Sequence, residues 1–510
     1  MEIRKNQIKM GAILSYLSLF VNNFLGLVYT PYMIRMLGQS EYGLYSLISN
    51  IIGYLTVLDL GFGNAIVVYT AKYRAKGEKE KEAKLNGMFI KIFCLIGVIA
   101  TIIGIILYFN VENMFGSSMT PDEIEKAKIM MLILTFNLAI TFPFSVFSSI
   151  VTAYEEFVFA KIRTIIRNLL MPIIMIPLLM LGYKAITMVV VTTILNIYIL
   201  ASNTIFCFKK LKIKVKFGKI DKYLLKEIFT YSFFIFLAVI IDKMNWSVDQ
   251  FILGSVAGTV AVSLYAVASQ FNNIYLSFST AINGLLLPKI SKMVVKNESD
   301  EEITNMFIKT GRLQYLVIGL IITGFVLFGK QFIYLWAGTD YNTSYYIACI
   351  LMIPVTIPLI QNVGISILQA KNLHKFRSVL YAIIAIANIG ISIPLAKAFG
   401  GIGTAIGTAI SLIVGNGIII NIYYYKKAKI NVIKFWKQII KMSIPIIPLV
   451  IITYVVLKYV TLTSWITLGI AVIVYVCIYA LIEYFIVMNN YEKELIQKPI
   501  NKIKNKICKN

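Results

Sequence analysis

Apolar runs of about 17 to 29 residues recur along the whole chain, separated by short stretches rich in lysine. A helix that crosses a bilayer needs about 20 apolar residues, so each run reads as one span. The runs fall at 10–30, 43–69, 88–110, 128–150, 166–182, 185–208, 228–250, 257–285, 313–335, 345–367, 379–399, 402–424, 442–460 and 465–487. The pattern predicts an all-α polytopic membrane protein with about fourteen transmembrane helices. The first run follows Arg4, Lys5 and Lys9 and is too long for a signal-peptide core, so it reads as a span and not as a removed segment.

The placement of basic residues tests that count independently. With the N-terminus inside, the inner segments hold 40 of the 49 lysines and arginines, the outer segments hold 7, and Lys91 and Lys243 lie within spans. A missed span would scramble the alternation. The expectation is therefore an even number of crossings in the cell membrane, with both termini in the cytoplasm. The formal charge of +25 is then a retention signal and a match to anionic lipid rather than a nucleic-acid footprint.

Composition narrows the class further. The chain is 58% hydrophobic and 14% charged, against about 45–50% and 25% for soluble domains. That excludes a soluble enzyme, a disordered scaffold and a secreted disulfide module. Five cysteines without a CxxC pair and a lone histidine, His374 in a loop, argue against a metal site, and no cofactor is expected. The loops assigned outside are short, so no separate catalytic domain is expected. A membrane enzyme, a channel and a scaffold are the weaker alternatives.

The most polar linker in the middle of the chain, 209–227, separates two halves that look alike. Leu37-Gly38 followed by Gly43-Leu44-Tyr45 echoes Leu253-Gly254 followed by Leu264-Tyr265. Gly182 before a span ending in Lys209-Lys210-Leu211-Lys212 echoes Gly401 before a span ending in Lys426-Lys427-Ala428-Lys429. Each half starts on the same side, so the repeat is parallel. The expected organisation is an N-lobe at 1–208, a basic linker at 209–227, a C-lobe at 228–424, and two further spans with a basic tail at 425–510. Convergent packing of small residues is the alternative reading of the echo.

Pro31-x3-Arg35-x-Leu37-Gly38-x2-Glu41-Tyr42-Gly43-Leu44-Tyr45 resembles the first-to-second-span motif of the polysaccharide-transporter (Wzx-like) flippases, members of the superfamily that also holds the MATE drug antiporters. Asp249-x3-Leu253-Gly254, Tyr265-x2-Ala268, Leu368-Gln369-Ala370 and Gly400-Gly401-x-Gly403-Thr404-Ala405 are similar to its later motifs. The resemblance covers the whole chain. It implies two six-helix lobes around a central cavity, an accessory pair at the last two spans, and export of undecaprenyl-diphosphate-linked oligosaccharide repeat units by alternating access. The implied partners are the lipid-linked sugar, membrane lipids, a polysaccharide polymerase and glycosyltransferases, with no nucleic acid.

Charges within spans are costly and are therefore candidate functional groups. Asp59, flanked by Gly61 and Gly63, and Asp249 are candidates for ion coupling or gating. Asp242, Trp246 and Asp249 share one helix face by spacing. Lys243 and Arg35 are the cations that could hold a phosphate. Asn272 and Asn273, in a polar stripe that includes Ser269, Ser277, Thr280 and Asn283, could bond a sugar. Each has a plainer reading: an interhelical ion pair, a snorkelling side chain, or the polar glue of helix packing. The excess of aspartates over cations keeps open an H⁺- or Na⁺-coupled multidrug antiporter as the competing function.

Overall fold

The computed structural model describes residues 2–218, 222–296, 298–371, 373–495 and 497, with some side chains inside helices, including those of 280–289, outside the description. The described chain is helical throughout, without strands. It runs α1 (Glu2–Leu37), α2 (Gln39–Leu55), α3 (Phe62–Ala75), α4 (Lys79–Phe115), α5 (Pro121–Ala153), α6 (Phe157–Met180), α7 (Ala185–Lys209), α8 (Lys222–Trp246), α9 (Val248–Val256) and α10 (Gly258–Val295). It continues through α11 (Asp300–Ala337), α12 (Asn342–Ile360), α13 (Val363–Ala370), α14 (His374–Leu412), α15 (Ile420–Lys426), α16 (Val432–Ser443), α17 (Ile446–Tyr459) and α18 (Trp465–Ile482).

Twelve helical stretches among the described residues are long and apolar enough to cross a membrane, against fourteen runs in the sequence. Two places account for the difference. Runs 379–399 and 402–424 lie in one stretch, Lys375–Lys426, interrupted at Gly400 (φ 56°, ψ −134°). Run 257–285 belongs to α10, which includes side chains outside the description.

The faces of these helices explain why they belong in lipid. On α4, Leu95, Val98, Ile102, Ile106 and Phe109 form an exposed apolar stripe, while Phe93, Ile96 and Ala100 are buried. This is the reverse of a water-facing helix, whose exposed side is polar. The chain is thus a multi-pass membrane protein.

Two compact units form: residues 1–266 with 396–401, and residues 267–395 with 402–510. In the first unit α4, α5 and α7 pack in series, and α1 packs on α6. Phe62, in the first turn of α3, meets Phe89 and Phe93 of α4 and Phe229 of α8. Residues 228–266, assigned by the repeat to the C-lobe, fall in this first unit, where α8 packs on α3 and α9 on α2. In the second unit α11 is the central element, carrying α12, α16 and α18. Phe328, Leu449, Leu468, Tyr475 and Tyr479 bind the last two spans to it.

Helix starts follow local chemistry. Thr120 and Glu123 close a capping box at α5, with Pro121 in the first turn, satisfying backbone donors that the helix leaves open. Ser299 with Glu302 does the same for α11.

Candidate functional site

The second span is not one helix. It breaks where the sequence places its aspartate: α2 ends at Leu55, Thr56–Asp59 forms a 3-10 turn, and Leu60 and Gly61 both take left-handed backbone before α3 begins. Gly61 has φ +76°, and a Cβ there would lie 2.9 Å from the Ser232 carbonyl oxygen of α8. Only glycine meets both demands without strain. The break points an acidic side chain at the start of α3, where Asp59 Oδ2 accepts one long bond, 3.4 Å, from the Gly63 N–H. Irregular backbone at membrane depth is tolerated only inside protein or beside a polar cavity.

Polar groups gather along the same face of the first unit. Asn50 Nδ2 donates to Gln250 Oε1 at 2.7 Å, joining α2 to α9. Tyr265 of α10 donates to Asp249, which is buried. The Tyr54 hydroxyl is buried with no hydrogen-bond partner among the described residues. Lys243 Nζ comes within 4.0 Å of where a side chain at Gly53 would begin. No ion pair to Lys243 is present among the described residues.

The first-to-second-span motif builds a polar clasp at the α1–α2 turn. Gly38, at φ +80°, ends α1 and lets α2 begin one residue later. Glu41 is buried and accepts from Lys126 Nζ at 2.7 Å and from the Ala185 N–H at 3.2 Å. Glu123 Oε1 accepts from Ser40 at 2.5 Å and from Thr259 at 2.6 Å. A Cβ on Gly43 would sit 1.9 Å from the Thr259 carbonyl oxygen, so this glycine is what lets α2 touch the α10 backbone.

The candidates therefore separate. Asp59, Lys243 and Asp249 lie in the first unit, and Arg35 is exposed on the last turn of α1. Asp242 and Trp246 lie in α8, but their side chains are outside the described residues. Asn272 and Asn273 belong to the second unit. Asn272 is buried, with its amide oxygen lacking a partner among the described residues, while Asn273 is exposed. Adjacent positions on a helix point about 100° apart. Several other amides of the sequence are packing groups. Asn196 donates to Asn137 and Thr141, each at 2.7 Å, and Asn203 donates to Ser148 at 2.8 Å, which locks α7 to α5.

Sequence reasoning missed four sets of groups. Glu123 was legible as a capping-box acid, Glu41 sat inside the motif without a role, and Arg312 and Glu492 pair across the chain. The fourth is Glu483, buried just after α18 in a π-helical turn beside Tyr479. Its signal was an acid in an apolar run. Among the described residues no cluster of three metal-ligating side chains forms.

Comparison with known proteins agrees with this architecture. A Shigella flexneri protein described as a proposed O-antigen transporter is 20% identical over 391 residues, 75% of this chain and 89% of that protein. Among solved structures, the lipid II flippase MurJ in an inward closed conformation superposes with a TM-score of 0.71 at 19% identity, covering 93% of this chain and 98% of that one. An inward-facing multidrug resistance MATE transporter of the MOP superfamily gives 0.60 at 15% identity, covering 80% of this chain and 99% of that one. These two likenesses concern the fold. The model of the polysaccharide biosynthesis protein family matches residues 8–294, and the chain belongs to that family.

Proposed function

We propose that this chain is a flippase. It carries undecaprenyl-diphosphate-linked oligosaccharide repeat units from the inner to the outer leaflet of the cell membrane, for surface polysaccharide synthesis. The observation that carries the reading is the broken second span, which sets Asp59 at membrane depth on the unit that also holds Lys243. A polar break of this kind supports a path for a charged headgroup whose lipid tail stays in the bilayer. Family membership and the name of the Shigella relative support the substrate class.

In this reading both termini are cytoplasmic, the lobes are 1–208 and 228–424, and they alternate access to the substrate. Lys243 and Arg35 meet the diphosphate, while Asp242, Trp246, Asn272 and Asn273 meet the sugar. Asp59 and Asp249 couple an ion or gate the path. A polymerase and glycosyltransferases are the partners before and after this step.

The test is the sidedness of labelled undecaprenyl-diphosphate oligosaccharide in depleted cells. Accumulation on the cytoplasmic leaflet, reversed by wild type and not by Lys243→Ala, is the expected result. A MATE-type antiporter is the second reading, favoured by the aspartates Asp59 and Asp249 in the first unit. Unchanged leaflet distribution, with raised sensitivity to cationic dyes on deletion, would select it.

A further inference from the structure

The second unit holds a basic cavity that the transport reading does not use. It measures about 750 Å³ and is enclosed by the start of α11, by α16 and by the turn after α18. Lys309, Arg312, Lys434 and Lys441 line it together with the amides of Asn305, Gln438 and Asn489, and among the described residues no carboxylate lines it.

The cavity is built around a fixed pair. Arg312 is buried and donates from Nε and Nη2 to both oxygens of Glu492, at 2.7 and 2.8 Å. Its remaining bonds go to Gln438 Oε1 at 3.2 Å and to the Val487 carbonyl at 3.0 Å. Asn489 exchanges bonds with Glu492, at 2.9 and 3.0 Å, and so pins the turn after the last span. Arg312 is thus neutralised and acts as scaffold. The working charges are the lysines. Lys309 sits 3.2 Å over the Tyr491 ring, Lys434 bonds Asn305 at 3.1 Å and lies 3.8 Å from the exposed Glu301 carboxylate, and Lys441 has no partner among the described residues.

The second half of the lining is apolar. Ile444 is 58% exposed and Ile486 is 67% exposed at its lip, continuous with the exposed Ile447 and Ile451 of α17 and Phe485 beside α18. Helix α16 has three faces. Val432, Phe435, Ile439 and Met442 are buried, Ile433 and Ile440 are exposed, and Lys434, Lys437 and Lys441 form a third stripe. That is the pattern of a helix lying in a membrane interface.

We propose that this cavity binds the phosphate headgroup of an anionic glycerophospholipid. Lys309, Lys434 and Lys441 would hold the phosphate, and the acyl chains would run over Ile444 and Ile486. Basic pockets beside membrane helices recognise such headgroups. The apolar lip favours a lipid over a soluble phosphate, because burying hydrocarbon there removes apolar surface from water. The site stands whether or not the transport reading holds.

The test uses the delipidated full-length protein, titrated with equimolar phosphatidylglycerol and phosphatidylcholine and weighed by native mass spectrometry. The wild type should retain phosphatidylglycerol preferentially. At about 1 kcal/mol per basic residue near the headgroup, the Lys309→Gln/Lys441→Gln double variant should lose roughly tenfold or more of that preference. Lys309→Arg/Lys441→Arg should restore it, which separates lost binding from lost folding. Lys397→Gln/Lys458→Gln, which removes the same charge elsewhere, should leave it unchanged. Equal retention of both lipids by the wild type, or undiminished phosphatidylglycerol on the glutamine variant, would overturn the proposal. So would displacement of the lipid by millimolar sodium diphosphate, which would assign the site to a soluble phosphate.

Discussion

Two of the interrupted spans, one in each unit, are closed in different ways. In the second unit the chain breaks between α12 and α13 at Gln361 and Asn362. There Gln361 and Asn421 exchange bonds at 2.8 and 3.2 Å, Trp436 donates to Asn421 at 3.0 Å, and Asn362 donates to Ser279 at 3.2 Å. Neutral amides satisfy one another and the break is sealed. In the first unit the backbone of the break is held by the Leu60 N–H on the Val57 carbonyl at 3.0 Å, the Asn64 N–H on the Gly61 carbonyl at 3.2 Å and Ser232 on the Gly61 carbonyl at 3.5 Å, while the Asp59 carboxylate accepts one long bond, 3.4 Å, from the Gly63 N–H. A polar group away from water and short of partners costs stability, and Asp59, half-buried, holds its carboxylate on that one long bond. Under the proposed function the contrast separates a structural break from a functional one: the first is satisfied by neutral amides, and the second leaves a carboxylate with capacity for something that passes.

That contrast is breakable. The largest effect expected is Asp59→Asn on export. The amide keeps the acceptor for the Gly63 N–H but loses the charge. With the charge that the proposed coupling or gating needs removed, the export rate should fall steeply, while the melting temperature in detergent stays close to that of the wild type. Wild-type export by this variant would reduce the two breaks to one kind. Next is Gly61→Ala, which sets a Cβ on left-handed backbone and against Ser232. It should cost about 1–3 kcal/mol of stability, read by thermal unfolding. Gln361→Leu should cost about 1–3 kcal/mol by removing two hydrogen bonds to Asn421, which keeps its bonds to Trp436 and the Asn416 carbonyl, yet leave export per folded molecule unchanged. If it lowered export at unchanged abundance, the second break would belong to the path as well. Smallest is Asn362→Ala, which removes a single hydrogen bond worth about 0.5–1.5 kcal/mol.

The sequence made the class legible because a span announces itself by length and hydropathy alone. Asp59 and its glycines were legible for the same reason: a charge between small residues contradicts the run around it. The break itself was not. Gly61 takes its left-handed conformation where the Ser232 backbone crowds it, and that neighbour is 171 residues away in the chain. Helix α16 lies mostly between the runs at 402–424 and 442–460, because its lysines interleave with its apolar residues and keep the segment below the hydropathy of a span. Arg312 and Glu492 are 180 residues apart, and no local pattern pairs them. Glu123 was readable from its capping box, but its bonds to Ser40 and Thr259 depend on where α2 and α10 meet.

The most direct test of the account is flipping in proteoliposomes containing the purified full-length chain and labelled undecaprenyl-diphosphate oligosaccharide. Wild type and Gln361→Leu should move the label to the opposite leaflet at similar rates per folded molecule, and Asp59→Asn should not. Equal rates for all three, or no movement by the wild type under any imposed ion gradient, would contradict it.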